Sequence, residues 1–225
     1  MTFSVVARCA ESGMFGVAVT SSSPAVAARC SFARSKVGAA TSQNITDPSL
    51  GPALLDAMEK GLNATDAMNT VVSNAANSEY RQLLAVDHNG VTAVHSGTQT
   101  LGVWSQAQTT DVVCGGNLLS NTAVPDAMVK AFVEMKAHIG ERLIHALKAG
   151  LVAGGEAGPI HSAGLKIVDS VSWPVADLRI DWSDDCPIEA LEQLWLRYKP
   201  QLDDYVQRAI DPTLAPSYGV PGDEG

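Results

Sequence analysis

Apolar and polar positions change period along the chain, and these changes divide it into strands and helices. Short apolar runs at 3–9 and 14–20 are separated by a polar stretch that ends in Gly13, which indicates a hairpin. Asn89-Gly90 between two further runs is the strongest hairpin signal in the chain. The two runs beside this turn lie at 83–86 and 91–95. The other strand-like runs lie at 37–42, 111–114, 163–168 and 175–180.

Apolar residues at helical spacing fill the segments between these strands. This spacing predicts two helices within 49–72, two within 123–152 that meet at Gly140, and one over 188–206 that is bent or interrupted near Pro200. Strands joined by hairpin turns and separated by helical pairs favour antiparallel sheets with helices packed outside them. A doubly wound parallel sheet would instead need strands and helices in strict alternation.

We predict one domain over 1–210 and a separate tail over 211–225. No internal repeat and no composition shift divides the first segment. The tail holds three prolines and three glycines in fifteen residues, which is typical of an extended arm. Such an arm can wrap a neighbouring copy, so a homo-oligomer is possible.

Composition and charge exclude several classes of function. The chain has 225 residues, a net charge of -9 and 46% hydrophobic residues, which suits a globular domain with a large core. Without a stripe of Lys and Arg, we expect no nucleic-acid partner. No apolar run reaches the ~20 residues that span a bilayer, so we expect no membrane segment. The first residues lack a basic leader with a long apolar run, which favours a cytoplasmic protein.

The four cysteines and five histidines give no sign of a metal site. The cysteines form no CxxC pair, and the histidines lack carboxylates at ligand spacing. The glycine-rich stretches at 115–116 and 154–158 lack the lysine of a phosphate-binding loop. We therefore expect neither a metal nor a cofactor.

Thr2 is the candidate catalytic residue. Removal of the initiator methionine is favoured by a small second residue, and it would make Thr2 the N-terminus. An N-terminal threonine carries a nucleophilic hydroxyl and its own base, an α-amine with an ordinary pKa of about 8. Because an apolar strand begins directly at Thr2, a sheet would hold the nucleophile rigidly.

Several motifs together resemble one known family. They are MTFSVVARC at the start, GVAVTSS at 16–22, TDPSLGP at 46–52, GGNLLS at 115–120, HSAGL at 161–165 and DLRID at 177–181. The chain resembles, from Thr2 to about Tyr198, the bacterial family of domains of unknown function numbered 1028. This resemblance implies an N-terminal nucleophile (Ntn) hydrolase fold of class α+β, a four-layer αββα sandwich. It also implies hydrolysis of an amide or peptide bond without a cofactor.

The resemblance implies roles for ten residues besides the nucleophile Thr2. Those expected to support the oxyanion or other polar groups are Ser21, Gln43, Asn44, Gly116 and Asn117. Those expected to contact the substrate are Arg8, Ser4, Glu156, His161 and Ser162. Two positions depart from the family's pattern: Ser22 stands where a basic residue is expected, and His161 where a glutamine is expected. These departures imply substrate contacts that differ from those of a typical member.

Arg8 has two explanations that the sequence leaves open. An arginine in an otherwise apolar strand needs either a buried carboxylate partner or a ligand anion. In the second case it would hold a carboxylate of the substrate through paired hydrogen bonds.

The leading hypothesis is an amidohydrolase that acts on a small amide or peptide through Thr2. The first alternative is a catalytically silent protein that binds a small metabolite in the same cleft. The second alternative is a serine hydrolase that uses Ser21 with His161, although no Gly-x-Ser-x-Gly turn surrounds the serine.

Overall fold

The computed structural model describes residues 1–222 and consists of two antiparallel sheets between two layers of helix. The described chain contains ten strands: β1 Thr2–Arg8, β2 Phe15–Ser21, β3 Ser31–Arg34, β4 Gly38–Asn44, β5 Arg81–Asp87, β6 Thr92–Ser96, β7 Ser105–Thr109, β8 Val112–Asn117, β9 Ser162–Val168 and β10 Pro174–Ile180. It contains seven α-helices: α1 Ala27–Cys30, α2 Leu50–Glu59, α3 Ala64–Asn74, α4 Val124–Glu134, α5 Ile139–Val152, α6 Pro187–Tyr198 and α7 Leu202–Ile210.

Strand pairing is antiparallel throughout both sheets. The larger sheet has the order β10-β9-β2-β1-β8-β7, and the smaller has the order β3-β4-β5-β6. Strand β1 is therefore central, with β2 on one side and β8 on the other. The fold is the αββα sandwich that the sequence predicted.

The alternation of side chains along β1 explains why the sheet is covered on both faces. Phe3, Val5 and Ala7 point to the core beneath helices α4, α5 and α6. Val6 points the other way, into the core between the two sheets, where it is buried with Leu84 of β5. A third core lies between the smaller sheet and helices α2 and α3. These three cores separate the four layers.

The sequence missed three short elements, α1, β3 and β7. Each spans only four or five residues, which is too few for a hydrophobic period to be read. Strand β7 has the sequence SQAQT and lies at the edge of the larger sheet, so it buries little apolar surface. Strand β3 also lies at an edge.

The prediction that the helices of 123–152 meet at Gly140 is wrong. The break lies at residues 135–138, and Gly140 is the second residue of α5. A Cβ atom at Gly140 would lie 2.4 Å from an atom of the Trp195 ring. The glycine therefore allows α5 to approach α6 closely instead of ending a helix.

The C-terminal helices follow the sequence prediction. The expected bend or interruption near Pro200 is an interruption, because a 3₁₀ turn over Lys199–Gln201 separates α6 from α7. Beyond α7, residues 211–222 bury no side chain, and the Arg208 guanidinium lies 3.9 Å from the centre of the Tyr218 ring. The last three residues of the predicted tail lie outside the described part of the chain. Within 1–222, no helix is both long and apolar enough to span a bilayer.

Candidate functional site

Thr2 lies at one end of the sandwich, between the two sheets. It is the first residue of β1, and it pairs in register with Ser21 of β2 and Asn117 of β8. Its side chain shares a face with Ser4 and Val6, the face that looks towards the smaller sheet. Thr2 is only 6% exposed. Its hydroxyl is therefore held by the central strands and shielded from bulk water.

A cluster of hydroxyl groups surrounds the carbonyl oxygen of Met1. Thr2 Oγ1 and Ser21 Oγ both donate to this oxygen at 2.5 Å, and the two hydroxyl oxygens are 3.3 Å apart. Ser21 Oγ also lies 2.8 Å from Ser23 Oγ. The Met1 side chain extends towards Gly158, where an added Cβ would contact its terminal methyl at 3.4 Å. Removal of Met1 would thus open space directly at Thr2.

Glu156 is a buried carboxylate beside this cluster. It is 5% exposed, and its Oε2 accepts a hydrogen bond from the Ser22 backbone N–H at 3.2 Å. Its Oε1 is buried and has no partner among residues 1–222. Burial raises the pKa of Glu156 to about 7, while the nearby N-terminal ammonium acts in the opposite direction. The carboxylate is therefore close enough to the Met1 amine for the two charges to interact.

Asn117 contributes an amide group next to Thr2. Its side chain is almost fully buried, and its Nδ2 donates to Gln82 Oε1 at 3.2 Å. That bond uses one of the two amide hydrogens. The neighbouring Gly116 carbonyl accepts a hydrogen bond from Gln82 Nε2 at 3.2 Å. Asn117 is thus a predicted support residue that lies next to Thr2 and has a second amide hydrogen that this bond does not use.

Ser4 and Gln43 are occupied inside the sandwich. Ser4 Oγ donates to Gln43 Oε1 at 2.7 Å, and Gln43 Nε2 donates to Gln82 Oε1 at 2.8 Å and to the Gly115 carbonyl at 3.2 Å. Both side chains are fully buried. Because each polar atom already has a protein partner, these residues join the two sheets beneath Thr2.

Asn44 holds two loops together at the end of β4. Its Nδ2 donates to the Tyr80 carbonyl at 2.6 Å, and its Oδ1 accepts from the Leu101 backbone N–H at 3.2 Å. Asn44 has a φ of 74°, a conformation that asparagine tolerates better than most residues. Its side-chain amide is therefore used to hold together the loops that flank the site.

Ser162 and His161 form part of the wall behind Ser21. Buried Ser162 Oγ donates to the Ser23 carbonyl at 2.6 Å and accepts from the Val26 N–H at 3.3 Å. The His161 ring stacks on Trp182 with centroids 4.3 Å apart, and its Nδ1 lies 2.9 Å from the Ser183 carbonyl oxygen. His161 makes a backbone hydrogen bond to Ser21, and its ring makes none to the Ser21 hydroxyl. The serine–histidine pair of the second alternative is not formed.

Arg8 lies far from this site, at the last residue of β1. At a rise of ~3.3 Å per residue, six steps along the strand separate it from Thr2 by about 20 Å. Its Nη1 lies 2.8 Å from Asp111 Oδ1. The carboxylate partner that an arginine in an apolar strand requires is therefore Asp111. The expectation that Arg8 would reach a substrate at Thr2 is not met by this geometry.

Sequence reasoning missed Ser23 and Arg29. Arg29 Nη2 donates to Ser23 Oγ at 2.8 Å, and that oxygen contacts Ser21 Oγ. Nothing local in the run Ser21-Ser22-Ser23 indicates that the loop after β2 folds back over the site. A basic residue in the short apolar stretch 25–30 was the available signal for Arg29.

Comparison with known proteins identifies the family. The sequence model described as "Family of unknown function (DUF1028)" matches residues 2–191. The chain belongs to this family. The DUF1028 match includes every residue of the site described above except Met1. Among curated proteins, none matches this chain.

Solved structures give two comparisons for this DUF1028 protein. It is similar to protein SPO2555 from Silicibacter pomeroyi, a structure of the same family. The TM-score is 0.84 and the identity 30%, over 92% of this chain and 94% of that one. A more distant match is Anbu (ancestral beta-subunit) from Yersinia bercovieri. There the TM-score is 0.38 and the identity 10%, over 91% of this chain and 97% of that one.

Proposed function

We propose that this protein is an Ntn amidohydrolase that cleaves an amide or peptide bond of a small substrate, with Thr2 as nucleophile after Met1 is removed. The observation that carries the proposal is the set of groups around Thr2. Its hydroxyl lies 3.3 Å from Ser21 Oγ. The next residue, Ser22, donates its N–H to Glu156, whose buried Oε1 has no described partner. These hydroxyl and carboxylate groups suit a free α-amine at Thr2 better than the peptide nitrogen that Thr2 has while Met1 is attached.

Each group has a definite part in the proposed reaction. Thr2 Oγ1 attacks the substrate carbonyl carbon while the Thr2 α-amine takes the hydroxyl proton. Asn117 Nδ2 and Ser21 Oγ donate to the oxyanion that forms. The C–N bond then breaks, the departing amine takes the proton, and an ester on Thr2 remains. Water hydrolyses this ester and restores the enzyme.

Glu156 acts in this scheme as a positioning residue. Its free Oε1 accepts a hydrogen bond from the Thr2 amine and so directs the nitrogen lone pair towards Oγ1. Because carboxylate and amine interact, they titrate as a pair. In the protein that retains Met1, burial raises the pKa of this carboxyl to about 7.

The test uses a probe that requires both groups of an N-terminal threonine. A capped peptide epoxyketone closes a ring through one residue's hydroxyl and amine. We expect one adduct at Thr2, measured by intact mass and peptide mapping on protein shown to lack Met1. Thr2→Ser should still be labelled, and Thr2→Ala should not. Thr213→Ala, in the exposed C-terminal segment, is the matched control and should label like the parent protein.

Two results would contradict the proposal. One is labelling or amide hydrolysis that persists in Thr2→Ala. The other is protein that lacks Met1 and is folded, yet gives no adduct and hydrolyses none of a panel of acyl amides.

A second candidate function rests on the Met1 carbonyl, which lies between the two hydroxyls in this structure. While Met1 is retained, the Thr2 nitrogen is an amide and cannot act as a base. The site around Thr2 then only binds a small metabolite. Complete retention of Met1 in the native host, together with thermal stabilisation by a ligand, would favour this function.

A further inference from the structure

The guanidinium of Arg29 is connected to the proposed nucleophile by a chain of short contacts. Arg29 Nη2 donates to Ser23 Oγ at 2.8 Å, Ser23 Oγ lies 2.8 Å from Ser21 Oγ, and Ser21 Oγ lies 3.3 Å from Thr2 Oγ1. The distance from Arg29 Nη2 to Thr2 Oγ1 therefore cannot exceed these three lengths together. Arg29 thus belongs to the same site as Thr2.

The position of this guanidinium is fixed by the loop that enters α1. Arg29 Nη1 donates to the carbonyls of Pro24 and Ala25 at 2.6 and 3.1 Å. Ala25 has a φ of +50°, and its N–H donates to the Asp181 carbonyl at 2.9 Å. The next N–H, of Val26, donates to Ser162 Oγ. A loop held by this many bonds presents Arg29 in one orientation.

Arg29 also lacks an acidic partner within residues 1–222. Arg8 and Arg34 both pair with carboxylates, whereas Arg29 forms no ion pair there. Its described hydrogen bonds leave the Nε–H and one Nη2 hydrogen unused. The residue is half-buried, in a chain with 24 acidic and 15 basic residues. A rigid, partly desolvated guanidinium with free donors is the arrangement that binds carboxylates.

We infer that Arg29 forms a carboxylate-binding subsite, so that the substrate carries a free carboxylate close to the bond that Thr2 attacks. The three contacts limit how far the Arg29 guanidinium can lie from the Thr2 hydroxyl. An attack distance of ~3 Å and a charged hydrogen bond of ~2.8 Å leave room for about one residue between them. The substrate class is therefore an N-acylated amino acid, or a peptide cleaved at its C-terminal residue. This inference rests on the proposed function for its reaction and on Arg29 for its specificity.

The test measures binding, which does not require catalysis. Folded protein that lacks Met1 is titrated with N-acetylglycine and with neutral N-acetylglycinamide, and both are followed by ligand-observed NMR. We expect the carboxylate to bind at least tenfold more tightly than the amide. Arg29→Gln should abolish this preference. Arg197→Gln makes the same change of charge at an exposed position on α6 and should leave the preference intact.

Two further variants separate charge from structure. Ser23→Ala removes the hydroxyl contact but keeps the guanidinium, so the preference should remain. Arg29→Lys keeps the positive charge without the planar guanidinium, so this variant should retain part of the preference for the carboxylate. If Arg29→Gln does not fold, the inference is tested by comparing the two ligands on the parent protein and on Arg29→Lys. Equal binding of both ligands by the parent protein, or an undiminished preference in folded Arg29→Gln, would overturn the inference.

The same titration distinguishes this inference from the proposed function. Thr2→Ala should keep the carboxylate preference, since Arg29 and its loop are unchanged. If Thr2 is not labelled but the preference depends on Arg29, the hydrolase proposal fails and the subsite stands. If Thr2 is labelled and no preference exists, the subsite fails and the hydrolase proposal stands.

Discussion

Glu156 shows how burial of one residue links stability to pH. Burial raises its pKa from 4.5 to about 7 in the folded protein, because the charged form loses hydration. Between these two values the unfolded chain has released a proton that the folded chain retains. The free energy of unfolding therefore falls as pH rises through this window and levels off above it. Below pH 4.5 the full stability is present.

We predict that Glu156→Gln removes this pH dependence. The glutamine stays neutral, so the variant should gain stability relative to the parent protein as pH rises from about 4.5 to 7. The gain is up to about 3 kcal/mol, since one pKa unit corresponds to ~1.36 kcal/mol. Urea unfolding at several pH values, on protein shown by intact mass to retain Met1, measures it. Parallel profiles for the two proteins would contradict the prediction.

Sequence reasoning reaches some of these residues and not others. Thr2 and Ser21 are brought together by one hairpin, whose register the apolar pattern and the turn determine. Glu156 was expected through the family resemblance alone, and its position depends on an isolated bridge to Leu119. Arg29 lies in a four-residue helix and was missed. No periodicity records such contacts. The burial that raises the pKa of Glu156 is likewise a property of the assembled fold.

At the scale of elements, the contact between α5 and α6 explains why a glycine was taken for a helix end. Glycine in a helix costs roughly 1 kcal/mol relative to alanine, so sequence reasoning treats it as a break. Here three atoms of the buried Trp195 ring would lie 2.4–2.8 Å from a Cβ at Gly140. Close packing of the two helices therefore outweighs the cost in helix propensity.

We predict that Gly140→Ala destabilises the protein by about 1–2 kcal/mol. Overpacking costs typically 1–3 kcal/mol, which exceeds the helix propensity that alanine gains. The matched background is Trp195→Phe, which shortens the ring that the new methyl would meet. Alanine should cost less in that background, as chemical denaturation in a double-mutant cycle would show. An equal cost in both backgrounds would place the strain elsewhere.

The predictability of each element follows from its length and its burial. Strands β1, β2 and β9 are seven residues long and largely buried, so their apolar runs are unmistakable. Strand β7 is polar, and its one strand neighbour in the larger sheet is β8. Sequence reasoning therefore finds the long, buried strands that form the core, and it misses the short, polar edge strand that contributes little to the core.

For the whole molecule, the described core ends before the tail begins. Residues 211–222 bury no side chain, and they contact α7 through Arg208, whose Nη2 donates to the Pro216 carbonyl at 2.9 Å. By contrast, Leu202 of α7 belongs to the core beneath the larger sheet. The boundary proposed near residue 210 follows this change in burial.

We predict that a chain ending at Ile210 keeps the stability of the full chain to within about 1 kcal/mol, because it loses only surface contacts. A chain ending at Tyr198 is the control, and it should lose at least about 2 kcal/mol through Leu202. Urea unfolding compares the three proteins. Light scattering of the same samples tests whether the tail mediates a homo-oligomer. A large loss of stability on removing 211–225 would extend the domain to the C-terminus.

The place of the Met1 carbonyl between two hydroxyls has a practical consequence for making the protein. An affinity tag fused ahead of Met1 would keep the Thr2 nitrogen acylated, and it would fill the end of the sandwich with vector-derived sequence. Under the proposed mechanism, activity screens on such material would report an inert protein, because the acylated nitrogen cannot act as the base. The exposed segment after α7 is the suitable end for a purification handle. A test of the Thr2 mechanism therefore needs protein whose purification handle lies at the C-terminal end.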